Sequence, residues 1–374
     1  MKFYKTKNLP IINEILTFKD PKIVKISTCQ LKEGDFKTLV KVGDFVKVGS
    51  TILIDKNQQK ILSSVSGKVT KIKTEKDIFN NLAQFIEIEN DEKNEHENFE
   101  KQNLKTKENL IDLCLNMGLA SSEFYLANYF KNLEENNLYL NVTYNDYNFI
   151  NKIIFLNYKQ KITNVFNLLI KILDIKNVYI NCNKSDIKLI KNLVKNEYKN
   201  VNFNFNKNKQ NKSLNLVDLF NINNAIGGIP QTNIFVYFVG GSLKKNALIN
   251  MPNGAKISDV KALLGGFKSD IEEIENFKYT AMLAYNDEMV LKDKIKKCKN
   301  KEDKLKLKKL LKEKRDEAHK NIYSNLKEYH EKYLNSLSCV VVNDINDNMC
   351  IKDFEKFIQY DVNVLSFLSK KEFH

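Results

Sequence analysis

The stretch that decides the fold spans residues 38–72 and reads TLVKVGDFVKVGSTILIDKNQQKILSSVSGKVTKI. Short runs of β-branched residues alternate there with Gly-Asp and Ser-Gly turns, which is typical of short, tightly connected strands. Gly43 and Gly49 lie on either side of Val46. Glycines so spaced let a chain turn twice with a positive φ at low cost. The stretch therefore predicts a small all-β domain near the N-terminus.

This G-D-x-V-x-x-G spacing is the signature of a barrel-sandwich hybrid, the fold of the domains that carry biotin or lipoate. A carrier presents its modified lysine at a hairpin tip, and Asp55 and Lys56 fall in a predicted turn. The hairpin around Lys56 is shorter than in a carrier and has no ring of apolar partners. The sequence thus favours this fold over residues 1–92 without the modification.

Length and composition indicate a multidomain globular protein. The chain has 374 residues and 43% hydrophobic residues, and a domain takes about 150 residues. No run approaches the roughly 18 apolar residues of a membrane span. The N-terminal residues lack the apolar core of a signal peptide. We therefore expect a cytoplasmic protein.

The net charge of +14 is compatible with a nucleic acid, an anionic membrane surface or an acidic partner. Lysine and asparagine are abundant throughout the chain, whereas arginine is scarce and tryptophan is absent. Arginine is the residue that reads phosphates and bases in a bidentate manner. We therefore expect no specific nucleic-acid partner, and an anionic membrane surface stays open.

The cysteines exclude two common uses of this residue. They are Cys29, Cys114, Cys182, Cys298, Cys339 and Cys350. None forms a C-x-x-C pair, and their scatter fits neither a disulfide framework nor a zinc site.

A polar stretch at residues 90–109, rich in Glu, Lys, Asn and Asp, is typical of a linker. Beyond it, helix-like and strand-like segments alternate, which indicates an α/β layer with mainly parallel pairing. The helices are predicted at residues 109–117, 159–173 and 185–196, and the strands at residues 138–143, 178–182 and 201–205.

Two further segments follow the α/β layer. Strands at residues 234–239 and 247–250, then a short helix at residues 257–264 capped by Ser258, predict a small β-grasp module. Residues 291–333 are highly charged with a near-heptad apolar stripe, which predicts one long helix or a helical hairpin. The stripe packs either on its own domain or on a partner. A lysine excess in this segment also favours an anionic leaflet.

Three segments, in order along the chain, resemble the C subunit of the Rnf electron-transport complex. Its relatives include the flavin-binding subunit of respiratory complex I and the A subunit of the sodium-pumping quinone reductase. The first segment comprises residues 39–44, 65–69 and 88–91, which end in Ile-Glu-Asn-Asp. The second, residues 238–266, is similar to the family's SLBB β-grasp domain. The third, residues 350–366, corresponds to its ferredoxin-like end.

The resemblance implies a mixed α/β, multidomain chain. Its parts are a barrel-sandwich hybrid (1–92), a linker (93–108), an α/β domain resembling the complex I flavin subunit (109–232), an SLBB β-grasp (233–290), a charged helical insertion (291–336) and a remnant of the ferredoxin-like end (337–374).

The flavin and nucleotide motifs of the family are largely lost. A glycine-rich loop, G-x-G-G-A-G-F-P, binds phosphates through backbone N–H groups in the family. The matching residues 117–125 read MGLASSEFY. They keep Gly118, match partly at Phe124, and add the negative charge of Glu123. A second motif, N-x-x-E-C-E-P, falls on residues 141–147. The weak remnants of a cofactor site are Gly118, Ser121, Ser122, Asn141 and Asp146.

The cluster-binding end is lost as well. The family's four cysteine positions correspond here to Cys350, Asp353, Lys356 and Tyr360. A cubane iron–sulfur cluster needs four ligands, normally thiolates. Cys350 is the lone surviving ligand position, and we expect it to be a half-buried apolar residue rather than a metal ligand. The resemblance therefore predicts no iron–sulfur cluster.

The resemblance implies a peripheral subunit on the cytoplasmic face of an Rnf-like membrane electron-transfer complex, with membrane-embedded subunits as partners. In our interpretation the subunit is a cofactor-free scaffold. One alternative is a flavoprotein that binds FMN through Gly118, Ser121, Ser122 and Asn141. Another is a stand-alone scaffold or ligand-binding protein that uses the SLBB module.

Overall fold

The computed structural model of the chain describes most of the sequence. The described residues are 14–31, 35–79, 81–133, 136–142, 150–182, 184, 187–191, 200–204, 212–240, 242–268, 271–322, 328, 332, 337–342, 350–351, 356–358, 362 and 364–369. The chain divides into two compact units. The first comprises residues 1–239, 246–263 and 341–366, and the second comprises residues 240–245, 264–340 and 367–374. In the described part, no helix has the length and apolarity needed to cross a membrane.

The first unit begins with a barrel-sandwich hybrid, as the glycine pattern predicted. Its strands are β2 (Ile23–Ser27), β3 (Phe36–Thr38), β4 (Phe45–Val46), β5 (Thr51–Asp55), β6 (Lys60–Leu62), β7 (Gly67–Lys76) and β8 (Leu82–Asn90). They form two sheets, in the orders β2-β8-β7-β4 and β3-β5-β6. Val24, Ile52 and Ile88 are fully buried between them. Alternation of buried and exposed residues along β2 and β7 supplies this core.

Two hairpins of the barrel use the same turn chemistry. In one, Asp55 Oδ1 accepts hydrogen bonds from the backbone N–H groups of Asn57 and Gln59, both at 2.8 Å. In the other, Asp77 Oδ1 accepts from Phe79 at 2.8 Å and from Asn81 at 2.7 Å. An aspartate that bonds its own turn stabilises a tight reversal. The predicted turn at Asp55 is therefore present.

The α/β layer follows the barrel. Its strands β9 (Asn137–Asn141), β10 (Asn177–Asn181) and β11 (Val201–Asn204) pair in parallel in the order β11-β10-β9, as the alternating pattern predicted. Its helices are α1 (Lys107–Asn116), α2 (Leu126–Lys131), α3 (Ile150–Ile172), α4 (Ile187–Lys191) and α5 (Leu216–Ile226). Helix α3 begins earlier than residue 159, because a kink at Tyr158 joins two helical pieces.

The polar stretch before α1 is an ordered strap rather than a free linker. Val48 N–H donates to the Glu95 carbonyl, and Glu97 N–H donates to the Val48 carbonyl, both at 2.8 Å. Further along, Gln102 N–H donates to the Ile226 carbonyl at the end of α5 at 2.9 Å. Leu104 is buried. The strap therefore joins the barrel to the α/β layer through backbone hydrogen bonds.

A mixed sheet has most of its residues in the first unit. The remaining strands are β1 (Ile15–Thr17), β12 (Asn233–Val239), β13 (Ala247–Pro252), β14 (Leu337–Val342), β15 (Cys350–Ile351) and β16 (Val364–Ser369). β12 pairs antiparallel with β13 and parallel with residues 364–366 of β16, and β1 pairs parallel with β13.

The prediction of a helix at residues 257–264 is wrong. The segment forms one 3₁₀ turn (Ser258–Val260) followed by further turns, and Ser258 makes no side-chain cap. Ile257 N–H instead donates to the Lys356 carbonyl at 3.1 Å. This hydrogen bond fixes the start of the segment to a distant part of the chain.

The second unit contains a helical hairpin of α6 (Ile271–Lys297) and α7 (Lys301–Asn321). Of the two alternatives left open by the sequence, the hairpin is therefore the one formed. Asn300 caps α7, since its side chain accepts from the N–H groups of Glu302 and Asp303. Helix α6 begins well before residue 291, where the sequence pattern placed the start of the helical segment.

The two helices pack through a seam of near-heptad spacing. The less exposed positions of α6 are Phe277, Ala281, Ala284, Glu288, Leu291 and Ile295, and those of α7 are Lys304, Leu307, Leu311 and Ala318. Arg315 of α7 donates to Glu288 Oε1 from Nη2 at 2.7 Å and from Nε at 3.0 Å. The apolar stripe of residues 307–318 thus has its packing partner in α6.

Substitution of Gly67 can show how closely the barrel strands approach each other. Its φ is +153°, and a β-carbon there would lie 1.9 Å from the Glu89 carbonyl oxygen, whereas one on Gly43 (φ +101°) would have no atom within 4 Å. Gly43→Ala should cost about 1–2 kcal/mol for its backbone conformation alone. Gly67→Ala should cost more than about 3 kcal/mol, because the Glu89 strand must shift. Urea unfolding measures both, and equal losses would contradict the close approach.

Candidate functional site

The loop that follows α1 is the first candidate site, because the glycine-rich family motif falls on it. Helix α1 ends at Met117, and Gly118 adopts a φ of +66°. Leu119 N–H then donates to the Cys114 carbonyl at 2.9 Å, which closes the helix end as a Schellman turn does. A β-carbon on Gly118 would lie 3.2 Å from Leu62 Cγ. Gly118 therefore ends a helix and lets it pack on the barrel.

Four N–H groups in and beside this loop are bonded within the protein. Ala120 N–H donates to Gln231 Oε1 at 2.8 Å, and Gln231 Nε2 donates back to the Ala120 carbonyl at 3.0 Å. Ser121 N–H donates to the Phe124 carbonyl at 2.8 Å, and Leu126 N–H donates to Leu119 at 3.1 Å. A phosphate-binding loop needs such donors directed at its ligand. The donors at Leu119, Ala120, Ser121 and Leu126 therefore do not fit a phosphate cradle.

Ser121 and Ser122 differ in their surroundings. Ser121 is buried and forms a side-chain hydrogen bond with Asp218, whereas Ser122 is half-buried and Glu123 is exposed. Asn215 Nδ2 also approaches Ser121 Oγ at 3.5 Å. The Ser121 hydroxyl is thus committed to the start of α5.

The start of α5 is a capping box. Asp218 N–H donates to Asn215 Oδ1 at 3.0 Å, and Asn215 N–H donates to Asp218 Oδ2 at 2.8 Å. Our sequence analysis missed both residues and Gln231. The spacing Asn-x-x-Asp ahead of an apolar run was a readable signal for the cap. Gln231 had no local signal, because its role depends on a loop more than a hundred residues away.

Asp218 is a buried carboxyl group without a cationic partner among its interactions. Burial raises the pKa of Asp218 to about 7, while hydrogen bonds from Asn215 and Ser121 oppose the rise and the charge of Glu123 adds to it. Its Oδ1 atom has no hydrogen-bond partner. Burial of Cys114 raises the pKa of its thiol, and the nearby Asp218 carboxyl adds to that rise. The exposed Glu123 brings a negative charge to the loop, and the Lys212 ammonium lies 5.6 Å from the centre of the Phe124 ring.

Asn141 lies at the carboxyl end of β9. Its N–H donates to the Leu214 carbonyl at 2.7 Å, and its carbonyl accepts from Asn151 Nδ2 at 3.4 Å. Its backbone thus holds β9 against the start of α5 and against α3. The nucleotide-motif remnant Asp146 lies outside the described residues. The backbone of Asn141 therefore has a structural role.

The C-terminal segment contains the former cluster positions. Cys350 lies on β15, while Asp353 and Tyr360 lie outside the described residues. Lys356 Nζ donates to the carbonyls of Lys76 and Asp77 at 3.1 and 3.4 Å. Within the described residues, no group of three or more His, Cys, Asp or Glu side chains is placed to hold a metal ion. The Lys356 position thus ties the segment to the barrel rather than ligating a cluster.

A polar groove lies beside this tie. Its lining includes Lys25, Glu75, Lys356 and Phe357. Lys25 Nζ lies 2.7 Å from Glu75 Oε2 and 3.7 Å from Glu87 Oε2, and 4.9 Å above the Phe357 ring. Because Lys25 and Lys356 already have protein partners, the groove offers an anion little charge. Its contacts serve to hold the C-terminal segment in place.

An apolar turn projects from the barrel between β3 and β4. Leu39, Val42 and Phe45 are 54%, 60% and 75% exposed. Its backbone is fixed, since Gly43 N–H donates to the Val69 carbonyl at 2.8 Å and Lys41 N–H donates to Asp44 Oδ2 at 2.7 Å. We call Leu39, Val42 and Phe45 the apolar turn. A fixed loop with three exposed apolar side chains is suited to a protein or membrane contact.

Comparison with known proteins identifies the N-terminal part of the chain. Residues 1–93 match the family model described as the RnfC barrel sandwich hybrid domain. No curated protein sequence matches the chain. Among solved structures, the chain is similar to one from the crystal structure of an NAD+-reducing [NiFe]-hydrogenase in the H2-reduced state, at 8% identity and a TM-score of 0.33. That match covers 44% of this chain and 40% of the other.

The Asp218 carboxyl should give the protein a distinctive pH dependence. Its pKa rises from 3.8 to about 7 on folding, so the folded state holds the proton more tightly. The stabilisation from this proton is complete below pH 3.8 and is lost as the pH rises through 7. Between pH 5 and 8 the free energy of unfolding should fall by about 2–3 kcal/mol from this group.

The measurement is urea unfolding at several pH values for the wild type and Asp218→Asn. The variant keeps an oxygen for the Asn215 N–H and should lack this decline. Asp112→Asn, at an exposed position of α1, is the matched control and should follow the wild type. Superimposable profiles for the wild type and Asp218→Asn would contradict the buried proton.

Proposed function

We propose, because its N-terminal domain is an RnfC barrel-sandwich hybrid domain, that this chain is a peripheral subunit of an Rnf-like membrane electron-transfer complex. In this proposal it acts as a docking scaffold on the cytoplasmic face of the membrane. Its partners are the membrane-embedded subunits of that complex. The barrel domain provides the contact, and the remaining domains hold it in the assembly.

The observation that carries a docking role is the apolar turn. It lies within the domain that matches the family model, and Phe45 projects from β4 while its neighbour Val46 is buried. Lys68 Nζ lies 5.8 Å from the centre of the Phe45 ring, and Lys41 and Lys47 flank Phe45 in sequence. Aromatic and basic groups together suit the edge of a membrane-embedded protein beside anionic lipid.

The absence of cofactors is also part of the proposal. Four loop donors have protein acceptors, and the Glu123 carboxylate disfavours a phosphate. Lys356 stands where the family has a cluster cysteine, and its ammonium is bonded to backbone carbonyls. These contacts support a subunit that retains the folds of an electron carrier and passes no electrons itself.

The cofactor content can be tested directly. Chain purified anaerobically from native membranes should be colourless, with substoichiometric flavin, iron and labile sulfide. Each missing charge-assisted hydrogen bond costs about 1.5–3 kcal/mol. Loss of several of them should move a micromolar FMN site to about 1 mM or weaker. Calorimetric titration measures this, and a yellow protein or a low-micromolar dissociation constant would favour the flavoprotein alternative instead.

Docking through the apolar turn predicts a selective effect of Phe45→Glu. An aromatic anchor at the centre of an interface contributes about 2 kcal/mol or more, so the dissociation constant for membrane partners should rise about 30-fold and their recovery should fall. The thermal midpoint should stay near the wild-type value, because the side chain is exposed. The assay is affinity recovery from native membranes with identification of the partners.

Leu82→Glu is the matched control, since Leu82 is 70% exposed and lies on the same barrel domain. It introduces the same charge at an apolar position outside the apolar turn. Recovery equal to the wild type is expected. If both variants lose partners equally, or neither does, the apolar turn is not the docking surface.

A further inference from the structure

Helix α6 has a second apolar face that α7 does not cover. The seam with α7 uses one side of α6, and large apolar residues lie on the opposite side at spacings of three and four. We call this face the outer stripe; it consists of Tyr279, Met282, Leu283, Asn286, Met289 and Val290. The five apolar members are 45% to 60% exposed. Such a run of apolar residues on one exposed helix face marks an interaction surface.

The outer stripe is nearly symmetric about Asn286. Leu283 and Met289 lie three residues to either side of it, and Met282 and Val290 lie four residues to either side. Tyr279 and Asp293 lie seven residues to either side of Asn286, and they bring a phenol and a carboxylate to the face. A face with this spacing matches its own copy when two helices run antiparallel, because each apolar residue then meets another.

The polar members indicate an antiparallel rather than a parallel pair. In the antiparallel arrangement, Asn286 meets its own copy on the two-fold axis, and Tyr279 lies opposite Asp293. In a parallel arrangement, two Asp293 carboxylates would lie side by side, which is unfavourable. A single asparagine within an apolar helix seam sets register and orientation, because its amide is satisfied only opposite another amide.

We propose that the occupant of the outer stripe is a second copy of this chain. Two α6–α7 hairpins pair through α6 to form a layer of four helices, with the two α6 helices antiparallel and their Asn286 side chains hydrogen-bonded at the centre. An anionic lipid surface suits this face less well, since Lys292 and Lys297 of α6 are paired with Glu288 and Asp293. This inference goes beyond the proposed function and does not depend on it, because it rests on a different unit of the chain.

Cysteine cross-linking tests the register. In a background with Cys29→Ser, Cys298→Ser, Cys339→Ser and Cys350→Ser, Asn286→Cys should form a disulfide-linked dimer under mild oxidation. Helix axes 8–10 Å apart bring facing β-carbons within disulfide range at the two-fold axis. Leu305→Cys is the matched control, 70% exposed on α7, and should remain uncross-linked. Absence of the Asn286→Cys dimer, or equal cross-linking of both variants, would overturn the proposal.

Sedimentation analysis tests the association itself. The wild-type chain should sediment as a dimer at micromolar concentration. Leu283→Glu combined with Met289→Glu should raise the dissociation constant at least about 100-fold, because four carboxylates then meet at the centre. Leu305→Glu combined with Leu310→Glu adds the same charge on α7 and should remain dimeric.

Circular dichroism should show unchanged helix content in both double variants, which separates dissociation from unfolding. A wild type that stays monomeric at about 100 times that concentration would overturn the proposal. So would a dimer that survives the α6 substitutions. Loss of binding to anionic lipid vesicles in the α6 variant, with no change in sedimentation, would assign the face to a lipid surface instead.

Discussion

The side-chain amide of Gln231 is the interaction on which the first unit depends most. It makes two hydrogen bonds to the backbone of Ala120, and so fixes the loop after α1 to the start of β12. The next residue, Thr232, accepts from the Asn253 N–H, and the Asn253 carbonyl accepts from Ser64 Oγ at 2.6 Å. One short chain of buried hydrogen bonds thereby joins the barrel, the α/β layer and the mixed sheet. Buried polar groups joined in this way specify a single arrangement of domains.

That arrangement explains why the loop is a poor phosphate site. A glycine-rich cradle works because its donors have no other acceptor and because only glycine lets a ligand approach closely. Here the donor at Ala120 bonds Gln231, and the donors at Leu119, Ser121 and Leu126 bond nearby carbonyls. The aromatic rings of Phe124 and Tyr125 are buried in the same loop. The same residues cannot serve both purposes. The buried Asp218 completes the α5 cap, and its raised pKa lets it hold a proton where burial disfavours a charge.

Residues 356–358 of the C-terminal segment also make packing contacts with the barrel and the mixed sheet. Lys356 and Phe357 bind the barrel through carbonyl and cation–π contacts, and Ile358 is fully buried between neighbouring backbone segments. A cluster-binding loop must leave its thiolates free to face a metal centre. At residues 356–358, the side chains face the rest of the protein instead. Lys356, whose position the family resemblance assigns to a cluster cysteine, thus contributes to the packing of this unit.

Local patterns in the sequence determined the barrel, the parallel pairing of the α/β strands and the hairpin turn at Asp55, because each depends on neighbouring residues. The G-D-x-V-x-x-G spacing and the alternation of strands and helices were sufficient for these features. Tertiary structure alone decided the strap at residues 91–105, the 3₁₀ turn at Ser258 and the roles of Gln231 and Lys356. Each of those depends on a hydrogen bond to a residue far away in the chain. The early start of α6 was hidden for another reason: apolar residues on two opposite faces weaken the helical period on which a sequence pattern relies.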